Sequence, residues 1–200
     1  MIQRKEYLNW LISWREKQLI KVVTGVRRCG KSTLFELYID HLKQSGVSDE
    51  QIISVNLEDV EYENLLTYKA LYDYIKERLC KDKYTYVFID EVQQCDHFEK
   101  AVDSLFIKKN VDLYITGSNA YMLSGELATL LSGRYVEVRM MPLSFAEYAG
   151  YMGAAQSNMS TVFNDYMNYG SFPYVATLVK GGVAVKGYID GISLYLIHVV

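Results

Sequence analysis

The octapeptide Gly25-Val-Arg-Arg-Cys-Gly-Lys-Ser32 lies between a β-branched run at residues 19–24 and a segment with apolar residues at 34, 37, 38 and 42. The first pattern predicts a strand and the second a helix, which places the glycines in a strand-to-helix turn. A G-x-x-x-x-G-K-[S/T] string in that position constrains this chain more than any other feature. Its loop must wrap tightly enough to turn successive backbone N–H groups inward. Gly25 and Gly30 supply the freedom for that wrap. A helix starting near Lys31 brings its positive N-terminal end to the same point. These are the requirements of a phosphate site. In it Lys31 reaches the β- and γ-phosphates, the Ser32 hydroxyl coordinates Mg2+, and Thr33 closes on the α-phosphate. Arg27 and Arg28 add positive charge within the loop, although one can equally pack on the sheet and the other stay solvated. Cys29 reads as a small loop filler. The plainer alternative for the whole string is an ordinary glycine turn before a helix.

The rest of the first 147 residues alternates in the same way. Ile2, Leu8, Leu11 and Ile12 predict an amphipathic helix over 2–14. Strands are expected at 52–57, 84–89, 111–116 and 134–140. Helices are expected at 67–80, around Phe98, Val102, Leu105 and Phe106, and over 120–131. Strict alternation implies an α/β fold, a parallel sheet with helices on both faces. The pattern then changes. Of the 21 basic and 24 acidic side chains, all but Asp165, Lys180, Lys186 and Asp190 precede residue 148. We therefore expect a core over 1–147 and a small, sparsely charged helical lid over 148–200. Helices are expected at 144–152, 161–168 and 188–200, with Gly-Ser-Phe-Pro at 170–173 breaking the run.

Three further motifs carry chemistry. Tyr86-Val-Phe-Ile-Asp90-Glu91 brings carboxylates to the C-terminal end of a buried strand, where open α/β sheets bind ligands. Asp90 would hold Mg2+ through its water shell, and Glu91 would face the γ-phosphate and activate water. As loop acids they would simply cap the next turn. Thr116-Gly-Ser-Asn119 ends the fourth strand, and Ser118 or Asn119 would contact the γ-phosphate or cap the following helix. Arg134, before the fifth strand, would reach a nucleotide on a neighbouring subunit or balance Glu137. Glu58-Asp59 reads as a turn beside the site.

Composition narrows the class. Half of the residues are apolar, 22% are charged and only two are prolines, which excludes disorder and low complexity. A net charge of −3 gives nucleic acid no support as a partner without closing that option, and Arg4-Lys5 and Lys108-Lys109 read as solvated faces. The three cysteines and three histidines are scattered; Cys95-Asp-His97 is the nearest approach to a metal cluster. Unpaired thiols, the absence of an apolar leader and of any membrane-length apolar run predict a cytoplasmic protein.

Taken together, residues 24–33, Val55-Asn-Leu-Glu-Asp59, Phe88-Ile-Asp-Glu-Val-Gln93, Ile115-Thr-Gly-Ser-Asn119, Leu130-Leu-Ser-Gly-Arg134 and Met141-Pro-Leu-Ser-Phe-Ala-Glu-Tyr148 resemble the prokaryotic AAA+-superfamily ATPases of the archaeal-ATPase type. The resemblance spans residues 1–175. It implies a P-loop NTPase of the ASCE type, with strand order 5-1-4-3-2 and a helical lid. The motif residues themselves point to ATP and Mg2+ as ligands, and Arg134 leaves self-association in trans open. Such proteins usually continue into a C-terminal domain, so the expectation is an ATPase module lacking its effector end. Two functions stay open: ATP hydrolysis driving a conformational change, and a nucleotide-dependent switch that binds ATP with negligible turnover and docks a protein partner at the lid. A small-molecule kinase fits less well, because the segment after Tyr148 contains no arginine. ATP is favoured over GTP by the lack of an N-K-x-D motif.

Overall fold

A computed structural model describes residues 2–118, 131, 133–183 and 185–189. They divide into two compact units. The larger holds Lys5–Gly25 and Lys31–Arg139, and the smaller draws on Met1–Arg4, Val26–Gly30 and Met140–Val200.

The larger unit is built on five strands: β1 (Ile20–Gly25), β2 (Ile52–Asn56), β3 (Thr85–Asp90), β4 (Val111–Ser118) and β5 (Tyr135–Met140, whose last residue falls in the smaller unit). They form one parallel sheet in the order β2-β3-β4-β1-β5. This is the order that the family resemblance implied. Among the described residues this unit has α1 (Lys5–Ser13), α2 (Lys31–Gln44), α3 (Tyr68–Glu77) and α4 (Phe98–Phe106). The helix expected over 120–131 lies, but for its last residue, outside the described residues.

Every residue of β1 and β3 is buried, so neither strand alternates between a buried and an exposed face. Their two faces differ in chemistry. Ile20, Val22, Ile53, Val55, Val87, Ile89, Leu113 and Ile115 pack with Leu71 and Ile75 of α3 and with Val102 and Leu105 of α4 in one apolar core. The opposite face is aromatic and polar. There Phe35 and Tyr38 of α2 meet Phe88 edge-on at 5.2 and 6.0 Å, and Phe88 stacks on Tyr114 at 4.8 Å.

At the N-terminal ends of the strands this second face contains a buried ion pair, Lys21–Asp112. Asp112 also accepts the Glu16 N–H at 2.8 Å and the Tyr114 hydroxyl at 2.7 Å, and the Tyr114 hydroxyl lies 3.0 Å from that of Tyr38. A carboxylate so completely partnered is tolerable in an apolar interior, whereas an orphaned one is not.

The smaller unit contains α5 (Phe145–Met152), α6 (Met159–Tyr169) and α7 (Pro173–Lys180). Pro142-Leu-Ser-Phe is a helix start. Ser144 is the N-cap of α5, its Oγ accepting the Glu147 N–H at 3.3 Å, and the Glu147 carboxylate accepts the Ser144 N–H at 2.9 Å. Ile2, Leu143, Tyr148, Ala149, Val162 and Ala176 form the core of this unit. Two sequence expectations are corrected here. Gly-Ser-Phe-Pro does not only end a helix: Pro173 also begins α7, at a position whose N–H has no helical partner to lose. Arg4 is not on a solvated face. It is 4% exposed and pairs with Glu147 at 2.8 Å. Residues 190–200, most of the last expected helix, lie outside the described residues.

Replacing Lys21 by Met should destabilise the protein by about 3–5 kcal/mol, because Asp112 is left buried without its counter-charge. Adding Asp112→Asn should restore part of the loss in urea unfolding. Alkaline pH probes a second buried group. Burial, aided by Asp96 and Glu99, pushes the Cys95 thiol from 9.0 up to about 12. The unfolded chain therefore releases this proton near pH 9 while the folded chain keeps it. Stability should be level below pH 9 and fall from there towards pH 12, less steeply in a Cys95→Ala variant.

Candidate functional site

The strand-to-helix connection supplies the first part of the site. β1 ends on Gly25, α2 begins on Lys31, and residues 26–30 join them. The Cys29 N–H donates to the Val26 carbonyl at 3.2 Å, Arg28 takes a left-handed φ of 67°, and Gly30 has φ 102°. A Cβ at Gly30 would meet Met140 and Pro173 only at 3.6 and 3.7 Å, so conformation rather than space calls for glycine. Cys29 is buried, as a loop filler should be, and Arg27 and Arg28 are exposed. The Arg28 guanidinium lies 5.7 Å from the Tyr188 ring centroid, with Nη1 3.4 Å from its hydroxyl.

In the larger unit, Lys31 is 4% exposed. Its Nζ lies 3.1 Å from Glu91 Oε1 and donates to the Gly25 carbonyl at 3.4 Å. Asp90 and Glu91 are buried at the C-terminal end of β3, and Glu91 takes a left-handed backbone (φ 52°, ψ 50°) that turns the chain out of the strand. Gln93 Nε2 donates to Glu91 Oε2 at 2.5 Å, so both carboxylate oxygens are engaged. Ser32 is exposed and Thr33 half-buried on the first turn of α2.

Thr116 is the residue that sequence reasoning passed over. Its hydroxyl donates to Asp90 Oδ1 and accepts the Glu91 N–H at 2.9 Å. The signal lay in the register. β3 and β4 pair Ile89 with Ile115, which sets Asp90 level with Thr116 and leaves Ser118 two residues further along. Ser118 closes β4, and Asn119 lies outside the described residues. Arg134 does not balance Glu137. Its Nη1 pairs with Asp103 at 3.0 Å, and Glu137 instead accepts the Thr24 hydroxyl at 2.7 Å. Asp59 accepts the Glu61 N–H, which makes Glu58-Asp59 a turn. Among the described residues no group of three or more His, Cys, Asp or Glu side chains could hold a metal, Cys95-Asp-His97 included.

A parallel sheet in this order, with a glycine loop after β1 and an acid pair closing β3, defines a P-loop NTPase. The chain belongs to the AAA domain family, whose pattern matches residues 17–149. It is 42% identical over 178 residues to an uncharacterized protein of Haemophilus influenzae, covering 88% of this chain and 44% of that protein. It is 30% identical over 186 residues to an uncharacterized protein of Methanocaldococcus jannaschii, covering 86% and 40% respectively. The chain thus spans less than half the length of these relatives. Its fold is similar to that of a Walker-type ATPase of Pyrococcus abyssi (TM-score 0.55, 17% identity, 99% of this chain and 76% of that one). It is also similar to S. cerevisiae Hsp104 in complex with casein (TM-score 0.59, 14% identity, 97% and 38%).

Thr116→Val keeps the side-chain shape and removes both hydrogen bonds, stranding the Glu91 N–H. We expect a loss of about 1–3 kcal/mol in denaturant unfolding. Thr116→Ser, which keeps the hydroxyl, should lose less than half as much.

Proposed function

We propose that this chain binds ATP together with Mg2+ and hydrolyses the terminal phosphoanhydride, and that turnover drives a conformational change. One observation carries the reading: a buried lysine at the end of the glycine loop sits 3.1 Å from the second of two buried carboxylates. A buried cation needs an anionic partner; Glu91 is one, and a phosphate at the glycine loop would be another.

A magnesium ion fits the donor set, since a serine hydroxyl and a carboxylate are hard oxygen ligands. Ser32 and Asp90 would hold it, and when bound it would spread the negative charge of the phosphates. Thr116 keeps Asp90 and the Glu91 backbone in place. Gly25, Gly30 and the loop residues between them would turn N–H groups to the phosphates, with Arg27 and Arg28 adding positive charge and Thr33 closing on the α-phosphate. Lys31 would exchange Glu91 for the β- and γ-phosphates. Glu91, released from Lys31, then accepts a proton from water as the water oxygen bonds to the γ-phosphorus and the bond to ADP breaks. Ser118 and Asn119 are our candidates for reading the γ-phosphate. Arg134 is our candidate for reaching a nucleotide on a neighbouring copy, leaving Asp103 to do so. The P-loop core would occupy residues 1–147 and a lid 148–200, with a protein partner at the lid and a cytoplasmic setting. No helix among the described residues is long and apolar enough to cross a membrane.

A switch that binds ATP with little turnover is the second reading. It is favoured by the Gln93 amide, which donates to Glu91 Oε2 at 2.5 Å and competes with a water for that oxygen.

Phosphate release from ATP tests both. Glu91→Gln should retain ATP and lower kcat by about 10²–10⁴-fold, the usual contribution of a general base. Lys31→Ala should abolish binding. Equal turnover by wild type and Glu91→Gln would sink hydrolysis through Glu91. Slow wild-type turnover with tight binding would select the switch.

A further inference from the structure

Arg4 reaches across 143 residues of sequence within the smaller unit, and all three faces of its guanidinium are used. Nε donates to Glu147 Oε1 at 2.8 Å, Nη2 to the Met141 carbonyl at 2.7 Å, and Nη1 to the Cys29 carbonyl at 3.2 Å. Glu147 is held in turn by the N–H and hydroxyl of Ser144 at 2.9 and 3.0 Å. A rigid planar fork buried at 4% exposure and tied at every edge is a fixed point, unlike a flexible ammonium.

The third bond lands on the glycine loop. No peptide bond in the described chain is cis. In a trans peptide the carbonyl and the following N–H point in opposite directions. A Cys29 carbonyl held by Arg4 therefore turns the Gly30 N–H to the other side of the loop, away from the guanidinium. Gly30 adopts φ 102°, which glycine reaches without strain but among several accessible conformations, so its orientation follows from what holds its neighbours. Sequence alone left Arg4 as half of a surface basic pair, since nothing local signals a partner at residue 29 or 147.

We propose that Arg4 is a positioning residue of the phosphate loop: by holding the Cys29 carbonyl it orients the Gly30 N–H for phosphate and ties the loop to the capped start of α5. The proposal rests on the ATP-binding reading above. It deepens that reading by assigning to it a residue 21 positions before the loop begins.

Binding of Mg2+-ATP to the intact chain, followed by calorimetry, tests it with three variants. Arg4→Met keeps the aliphatic stem and should raise the Kd by about tenfold or more, the loss of one preorganised charge-assisted bond. Arg4→Lys keeps the charge but not the fork and should fall between Met and wild type, which preserves the test if the Met variant does not fold. Val162→Ala removes packing from the core of the smaller unit without touching Arg4, Glu147 or the loop. It should lower the melting temperature and leave the Kd within about twofold. Wild-type affinity in both Arg4 variants overturns the proposal. So does a loss in Val162→Ala as large as in Arg4→Met, which would make the effect one of general stability of the smaller unit. A wild type that binds no better than Lys31→Ala overturns the ATP-binding reading itself, and this inference with it.

Discussion

The insertion of β4 between β1 and β3 is the constraint on which the rest of the larger unit depends. A parallel strand can take that central place only through long crossovers on both sides, and its hydrogen bonds then lock three strand ends into one row. Asp90 comes level with Thr116 because Ile89 pairs with Ile115, and Gly25 lies two residues further along, opposite Ser118. A slip of one residue would turn Thr116 to the apolar core of α3 and α4 and leave Asp90 without its hydroxyl. The buried Lys21–Asp112 pair at the opposite strand ends joins the same two strands, β1 and β4. A charged pair tolerates few alternative registers, because any other leaves a buried charge alone.

Above that row the site rests in a self-satisfied state. The carboxylate of Glu91 is shared between Lys31 and Gln93, and the carboxylate of Asp90 is held by Thr116. Buried charges need partners whether or not a ligand is present. Lys31 and the two carboxylates at the end of β3 find those partners among neighbouring side chains. Glu91 is one of the non-glycine residues with a left-handed backbone. Such strain survives only where surrounding contacts over-determine it, and the Thr116 hydroxyl that accepts the Glu91 N–H is one of those contacts.

Much of this was legible beforehand, because its signals are local. Strand, glycine loop and helix follow one another within residues 19–42, and the run from Tyr86 to Glu91 announces a buried strand that ends in acids. The parallel sheet followed from alternation alone, whereas its order came from the family resemblance. Failures occurred where a residue's meaning depends on a distant partner. Arg134 has its nearest acid in sequence at Glu137 but meets Asp103. Pro173 looks like a breaker from one side and is a helix start from the other. Thr116 stood in plain view in Thr116-Gly-Ser-Asn119, yet only the register chose it over its neighbours.

The sequence by itself determined the class of fold and the candidate phosphate loop, since periodicity, glycine placement and a strand ending in carboxylates are properties of consecutive residues. Tertiary structure alone decided which side chains hold the site in place. Thr116 on Asp90, Gln93 and Lys31 on Glu91, and Arg4 on the Cys29 carbonyl are hydrogen bonds and an ion pair between groups that desolvation forces to pair. Which partner each one finds is settled by what packing brings within bonding distance, and residues 4 and 29, or 90 and 116, acquire that proximity only when the chain is folded.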